Sequence, residues 1–354
     1  MEPYPNTSEY SYYYYDEFNG TIDYTLFELL CTKEEVRKFS KSFLPVFYSI
    51  VFLVGLAGNS LVVAIYAYFK KLKTKTDAYI MNLAIADLLL LSTLPFWAAN
   101  AVKGWVLGIP SCKITFGIYT MTFSASMAFL ACISVDRYHA IVKSQRQQRP
   151  VRHCSYTCSF VWATAMLLSI PDLIFSTVKE HHNRIACLQM FPESLGKIIR
   201  VIIEILEITL SFVLPLLIML ICYFAVARAL FKSSSVKKYK SLKVLAMVVA
   251  AFIITQLPYN VIKLWRALEI IHPLITNCSV SKAVDVALQV TNSIALFHCC
   301  LNPILYFFMG ASFKMHMVKI MKRCASWRRQ QSMAPEEICM DPEDSTGQTS
   351  SFTI

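Results

Sequence analysis

Seven stretches of the chain are apolar over lengths that cross a bilayer, and they carry almost no charge. Phe43–Phe69 contains no Asp, Glu, Lys or Arg, and Ala78–Val102 contains only Asp87. Ile114–Val135 is uncharged, and Cys154–Val178 holds one acid, Asp172. Ile208–Ala227, Val244–Ile262 and Val286–Gly310 are again free of charge. About 18 consecutive apolar residues suffice to carry a helix through the hydrocarbon core. A helix on the surface of a soluble domain would instead alternate an apolar stripe with a polar one. The pattern therefore predicts an all-α membrane protein, a seven-transmembrane helix bundle spanning 43–310.

The polar remainder gives the orientation. Lys and Arg concentrate after the first, third, fifth and seventh runs, in "KKLKTK", "KSQRQQRPVR", "KSSSVKKYKSLK" and "KMHMVKIMKR". Short basic loops stay on the cytoplasmic side. The opposite end, 1–42, is then an extracellular tail. Its first 30 residues carry Glu2, Glu9, Asp16, Glu17, Asp23 and Glu28 with no Lys or Arg, and they run through "EYSYYYYDEF". No basic start and apolar run of a cleavable signal peptide stands there, so the first span is expected to direct insertion. Sequons at Asn6, Asn19 and Asn277 fall on the outer side and would accept glycans. After the last run, Phe313, Met317, Ile320 and Met321 share one helical face beside Lys314, Lys319, Lys322 and Arg323. That predicts an amphipathic juxtamembrane helix at 311–325 resting on membrane lipid. Cys324 at its end is a candidate for an acyl chain. The cytoplasmic tail 326–354 reads as disordered, with Ser345, Thr346, Thr349, Ser350, Ser351 and Thr353 as phosphorylation candidates.

Composition agrees. Charged residues make up 16% of the 354, hydrophobic ones 56%, and the net charge is +11. The mean hydropathy is +0.48. Of twelve cysteines, Cys31, Cys112, Cys187 and Cys278 lie outside, an even number that allows two disulfides in three pairings. The other eight face the bilayer or cytosol and are expected to be reduced.

Ionisable groups at membrane depth are costly, so each marks a candidate mechanism. Asp87 is the clearest, with Asn59, Ser126, His298 and Asn302 as polar partners on other spans. Two readings stand for this cluster: a sodium site, or a packing network of polar side chains. Asp136-Arg137-Tyr138 ends the third span, where an Arg beside an Asp can act as an ionic latch. Pro258 and Pro303 remove backbone hydrogen bonds and kink the sixth and seventh spans, where hinges would form. Tyr223 and Tyr306 accompany these as switch candidates. The sequence offers no inverted halves of a transporter and no HExxH or close His/Cys/Asp group, so neither transport nor enzymatic catalysis is expected. Nothing suggests a nucleic-acid partner.

"GN" in the first span, "LAIAD" in the second, "DRY" ending the third, Trp162, Pro215, Pro258 and "NPILY" occur in order, each in its own span. The chain thereby resembles the rhodopsin-like G-protein-coupled receptors over nearly its whole length. "TLPFW" (Thr93–Trp97), "QLPYN" and "HCCLNPILY" are similar to the chemokine-receptor branch. That resemblance implies the pairs Cys112–Cys187 and Cys31–Cys278. It also implies a pocket at Tyr48, Trp97, Tyr119, Tyr259 and Asn292. Chemokine receptors commonly place a Glu where this chain has Asn292; Glu204, Glu207 and Glu269 are candidates to replace that anchor. Chemokines are small basic proteins, which an acidic tail attracts at long range. Tyr10, Tyr12, Tyr13, Tyr14 and Tyr15, beside Asp16 and Glu17, form the chemokine-binding tail implied, with tyrosine sulfation adding charge.

"GLAGNSLVVAIYAY", "NAVKGWVLG" and "SWRRQ" resemble the atypical chemokine receptors, which bind and internalise CC chemokines without ordinary G-protein signalling. The expected partners are CC chemokines, arrestins and receptor kinases. In agreement, "DRYHAIV" puts His139 where conventional members carry a Leu that meets the G protein. The alternative is a conventional CC chemokine receptor that signals through an inhibitory G protein in leukocyte chemotaxis. The expected location is the plasma membrane, with cycling through endosomes.

Overall fold

The computed structural model describes residues 31–70, 74–142, 152–181, 184–192, 195–231, 236–272 and 277–309. Seven helices in it are long and apolar enough to cross a membrane: Glu34–Tyr68, Lys75–Lys103, Gly108–Val142, Cys154–Phe175, Gly196–Ala229, Leu245–Ile271 and Cys278–Ile304. We call these spans one to seven. Outward-facing side chains are large and apolar, among them Leu53, Phe160, Ile221, Phe224 and Ile254. In water such a belt would be a liability; against lipid tails it is the favourable surface.

Inside, small residues let the helices close up. A Cβ added to Gly55 would lie 2.8 Å from Leu91 of span two, and one added to Gly58 would lie 2.9 Å from Pro303 of span seven. Without a hydrophobic force between helices in lipid, this close packing holds spans one, two and seven together. The main core joins spans one to six around Leu83, Met127, Phe129, Met219 and Phe252.

Prolines shape the helices. Thr93 returns its hydroxyl to the carbonyl of Leu90, 2.7 Å away, and Pro95 follows within the same helix. Pro215 would press its ring on the carbonyl of residue 211, and the chain widens there into a π-turn, Thr209–Val213. Span seven breaks at Phe297, between Cys278–Leu296 and His298–Met309.

One end of the bundle, the end expected to face outward, carries a two-stranded antiparallel sheet, β1 (Ser176–His181) with β2 (Arg184–Gln189), in the register Val178 opposite Cys187. Cys187 bonds to Cys112 at the head of span three, and Cys31 bonds to Cys278 at the head of span seven. Trp105 packs against the first of these bridges and donates its indole N–H to Gly108, at 2.9 Å. Gly104 and Gly108 take φ of +85° and +80°, which turns the chain sharply between spans two and three.

Span limits differ from those read off hydropathy. Span one starts at Glu34 rather than Phe43, span five at Gly196 rather than Ile208, and span seven at Cys278 rather than Val286. Val178, expected at the end of span four, lies in β1. The added turns carry charges such as Glu34, Glu35, Lys197, Arg200 and Asp285. Charge hides these turns from hydropathy, since they stand outside the hydrocarbon. The tail segment 1–30 with its tyrosines, Asn6 and Asn19, the helix expected at 311–325, Cys324 and the phosphorylation cluster lie outside the described residues.

Candidate functional site

Beneath the outer disulfide an aromatic column descends into the bundle. Trp97 lies 5.9 Å from Trp105, 4.7 Å from Phe116 and 6.1 Å from Tyr119, centroid to centroid. Tyr119 stacks on Phe123 at 6.1 Å, and Phe123 meets the edge of His298 at 5.6 Å. Offset and edge-on ring pairs of this kind add stability beyond their buried area.

The pocket residues expected from sequence converge around this column. The Tyr119 hydroxyl donates to Asn292 Oδ1 at 3.0 Å. Asn292 thus presents a neutral amide, not a carboxylate, to the column. Tyr259 lies under Lys263, whose Nζ is 6.0 Å from the ring centre.

The three glutamates expected to replace an acidic anchor are all paired with cations of the chain. Glu207 meets Lys263 at 2.5 Å, Glu204 meets Arg200 at 3.0 Å, and Glu269 meets Arg266 at 3.1 Å. Asp285, which the sequence reading did not single out, bridges Lys33 at 2.7 Å and Arg266 at 2.9 Å. That bridge joins spans one, six and seven beside the Cys31–Cys278 bond. Asp172, buried at the top of span four, accepts a hydrogen bond from Gln189 of β2. Asn277 is exposed and caps span seven, its Oδ1 accepting from the N–H of Ser279 at 2.8 Å.

Below the pocket lies the polar core. Asp87 is fully buried; it accepts from Ser126 at 2.8 Å and from Asn302 at 2.7 Å. His298 Nδ1 sits 2.6 Å from the carbonyl of Ala295, which can only accept, so this nitrogen carries the hydrogen. Nε2 lies 3.6 Å from the Cys299 thiol and 3.7 Å from Asp87 Oδ1. Donor atoms of Asp87, His298 and Cys299 lie within 4.8 Å of one another. Asn59 gives its amide N–H groups to the carbonyls of Gly55 and Cys299, both at 3.0 Å, and its Oδ1 is buried without a hydrogen bond.

At the opposite end of the bundle from the sheet, the Asp136 carboxylate accepts from the hydroxyl of Thr76 in span two. Arg137 Nε is buried without a hydrogen bond. Tyr138 and His139 stand 5.2 Å apart, and His139 is exposed. Tyr223 packs against the main core. Pro258 and Pro303 lie within helices of spans six and seven; the Tyr306 side chain is outside the described residues.

An aromatic column, a buried acid and an Asp-Arg-Tyr sequence at the end of span three are thus set within seven helices long and apolar enough to cross a membrane. Residues 58–306 match the seven-transmembrane receptor family of the rhodopsin type, and the chain belongs to that family, in its chemokine-receptor branch. It is a multi-pass membrane protein, and the family is not an enzyme class. The chain is 56% identical to the human atypical chemokine receptor 4 over 99% of both chains, and 54% identical to the bovine one over the same share. It is 42% identical to human C-C chemokine receptor type 7, over 86% of this chain and 81% of that one.

Proposed function

We propose that this receptor binds CC chemokines at the outer face of the plasma membrane and removes them by internalisation, with little or no G-protein signalling. The observation that carries the reading is end-to-end likeness to proteins named atypical chemokine receptor 4, together with an exposed imidazole at His139. The acidic tyrosine tail, sulfated at Tyr10 and Tyr12–Tyr15, draws in a basic chemokine. The pocket at Tyr48, Trp97, Tyr119, Tyr259 and Asn292 receives its flexible end. Arrestins and receptor kinases act on the cytoplasmic tail, and the receptor cycles through endosomes.

A sodium ion fits the polar core only in part. Asp87, the Ser126 hydroxyl and the unpaired Asn59 Oδ1 are oxygen donors of the kind a hard cation takes. When bound, such an ion would supply positive charge to a carboxylate otherwise held by two neutral donors.

The second reading, a conventional receptor signalling through an inhibitory G protein, is favoured by the intact Asp136-Arg137-Tyr138 and by the type 7 relatives. His139→Leu separates the two. Restoring an apolar side chain at an exposed G-protein-facing position recovers about 1–2 kcal/mol of burial. The scavenger reading predicts a gain of cyclic AMP inhibition on chemokine addition in His139→Leu cells. Strong inhibition already present in the unaltered receptor, and unchanged by the substitution, supports the conventional reading.

A further inference from the structure

The described residues include a basic groove, opposite in charge to the acidic segment 1–30 of the sequence. Between the head of span one, β1, β2 and the head of span five lies an open groove of about 800 Å³. Arg37, Lys179, Lys197 and Arg200 line it, against a single acid, Glu180. Arg200 is taken up by Glu204. Arg37, Lys179 and Lys197 are exposed, and they form no ion pair among the described residues. Among the described acids at this end, Glu207, Glu204, Glu269, Glu35 and Asp285 each meet a cation of the chain, while Asp172 accepts from the neutral Gln189. Among the described residues lining the groove, three unpaired cations stand against one unpaired acid, Glu180, so the charge there is positive on balance.

A groove of this size admits a chain end or a small ligand, not a folded domain. Its floor is apolar, with Leu188, Met190 and Phe191. Asn100 on its wall has a side-chain oxygen buried without a hydrogen bond, an acceptor that a backbone N–H would satisfy. Like charges across an interface repel, so a basic segment is disfavoured here and a carboxylate-bearing one attracted.

We infer that the groove formed by Arg37, Lys179 and Lys197 holds the acidic residues that the ligand's flexible end carries next to its folded body, the tip going to the pocket, and so selects, among chemokines, those with Asp or Glu at that point. This rests on the chemokine-receptor reading above. The two charged regions then act on different parts of one ligand. The acidic tail holds the basic body, while the basic groove turns that body away and admits the acidic end. Ligand orientation follows from charge alone, before any close contact forms.

The test uses the full-length receptor on cells. The probes are fluorescent CC chemokines with Asp or Glu ahead of their first cysteine, and the same proteins with those acids changed to Asn or Gln. The acidic probes are expected to bind about tenfold tighter than their neutral forms. Lys179→Gln with Lys197→Gln abolishes that difference, and Lys179→Glu with Lys197→Glu reverses it, the acidic probes then binding more weakly than their neutral forms. Surface staining shows that the variants fold, since both lysines are exposed. A receptor lacking residues 1–30 binds more weakly overall but keeps the difference. Equal binding of both forms by the unaltered receptor overturns the inference, as does a preference for the acidic probes that survives charge reversal. Loss of the difference on removing 1–30 assigns the groove to the chain's own acidic tail and overturns it as well. Binding of no CC chemokine at all refutes the receptor reading and this inference with it, which is a distinct result from binding without charge preference.

Discussion

Asn59 donates a side-chain N–H to the carbonyl of Cys299, the acceptor that Pro303 leaves without its helical donor four residues on. A proline in span seven is thus made tolerable by an amide in span one. The close approach that permits it needs Gly58, which faces the Pro303 ring. In a bilayer an unpaired carbonyl has no water to turn to.

Asn59→Leu therefore strands the Cys299 carbonyl and costs about 1–3 kcal/mol. The check is the melting temperature of purified receptor in detergent, expected to fall by several degrees. A melting temperature equal to that of the unaltered receptor would mean that the hydrogen bond contributes nothing.

Lys263 and Glu207 tie span six to span five at 2.5 Å, with both side chains largely shielded from solvent. Glu207→Gln leaves the lysine charged and poorly solvated, a loss of about 2–4 kcal/mol after allowing for partial exposure. Glu207→Gln combined with Lys263→Met removes the orphan charge and regains most of that stability. Thermal unfolding of the two single variants and the double variant measures the coupling. Simple additivity would show that the pair is an incidental surface contact.

How far the sequence reveals this arrangement varies with distance along the chain. The seven spans are legible because a bilayer punishes charge, and hydropathy reads that directly. Arg200 with Glu204 and Arg266 with Glu269 are legible too, being one helical turn apart. Lys263 with Glu207, and Asp285 with Lys33, join different helices, and no local pattern foretells them. Hydropathy also places the start of span one nine residues late, since Glu34 to Ser42 extend the helix into water. The polar residues of the core are visible in the sequence as costly groups at membrane depth. Its wiring was not legible: the break at Phe297 turns the Ala295 carbonyl toward His298 and Gln256.

Sodium gives a separate test of the polar core. If Asp87, Ser126 and Asn59 hold the ion, replacing choline chloride with sodium chloride raises the melting temperature of the receptor by about 2–4 °C. Asp87→Asn removes that response. An equal shift in both proteins would assign it to ionic strength and leave the cluster as a packing network.

The central claim is ligand removal without G-protein signalling, and one measurement addresses it directly. Cells expressing the chain are exposed to a panel of labelled CC chemokines while uptake and cyclic AMP inhibition are followed in the same wells. The account predicts uptake and degradation of at least one CC chemokine with no fall in cyclic AMP. A robust cyclic AMP response abolished by pertussis toxin would contradict it and make this a conventional signalling receptor.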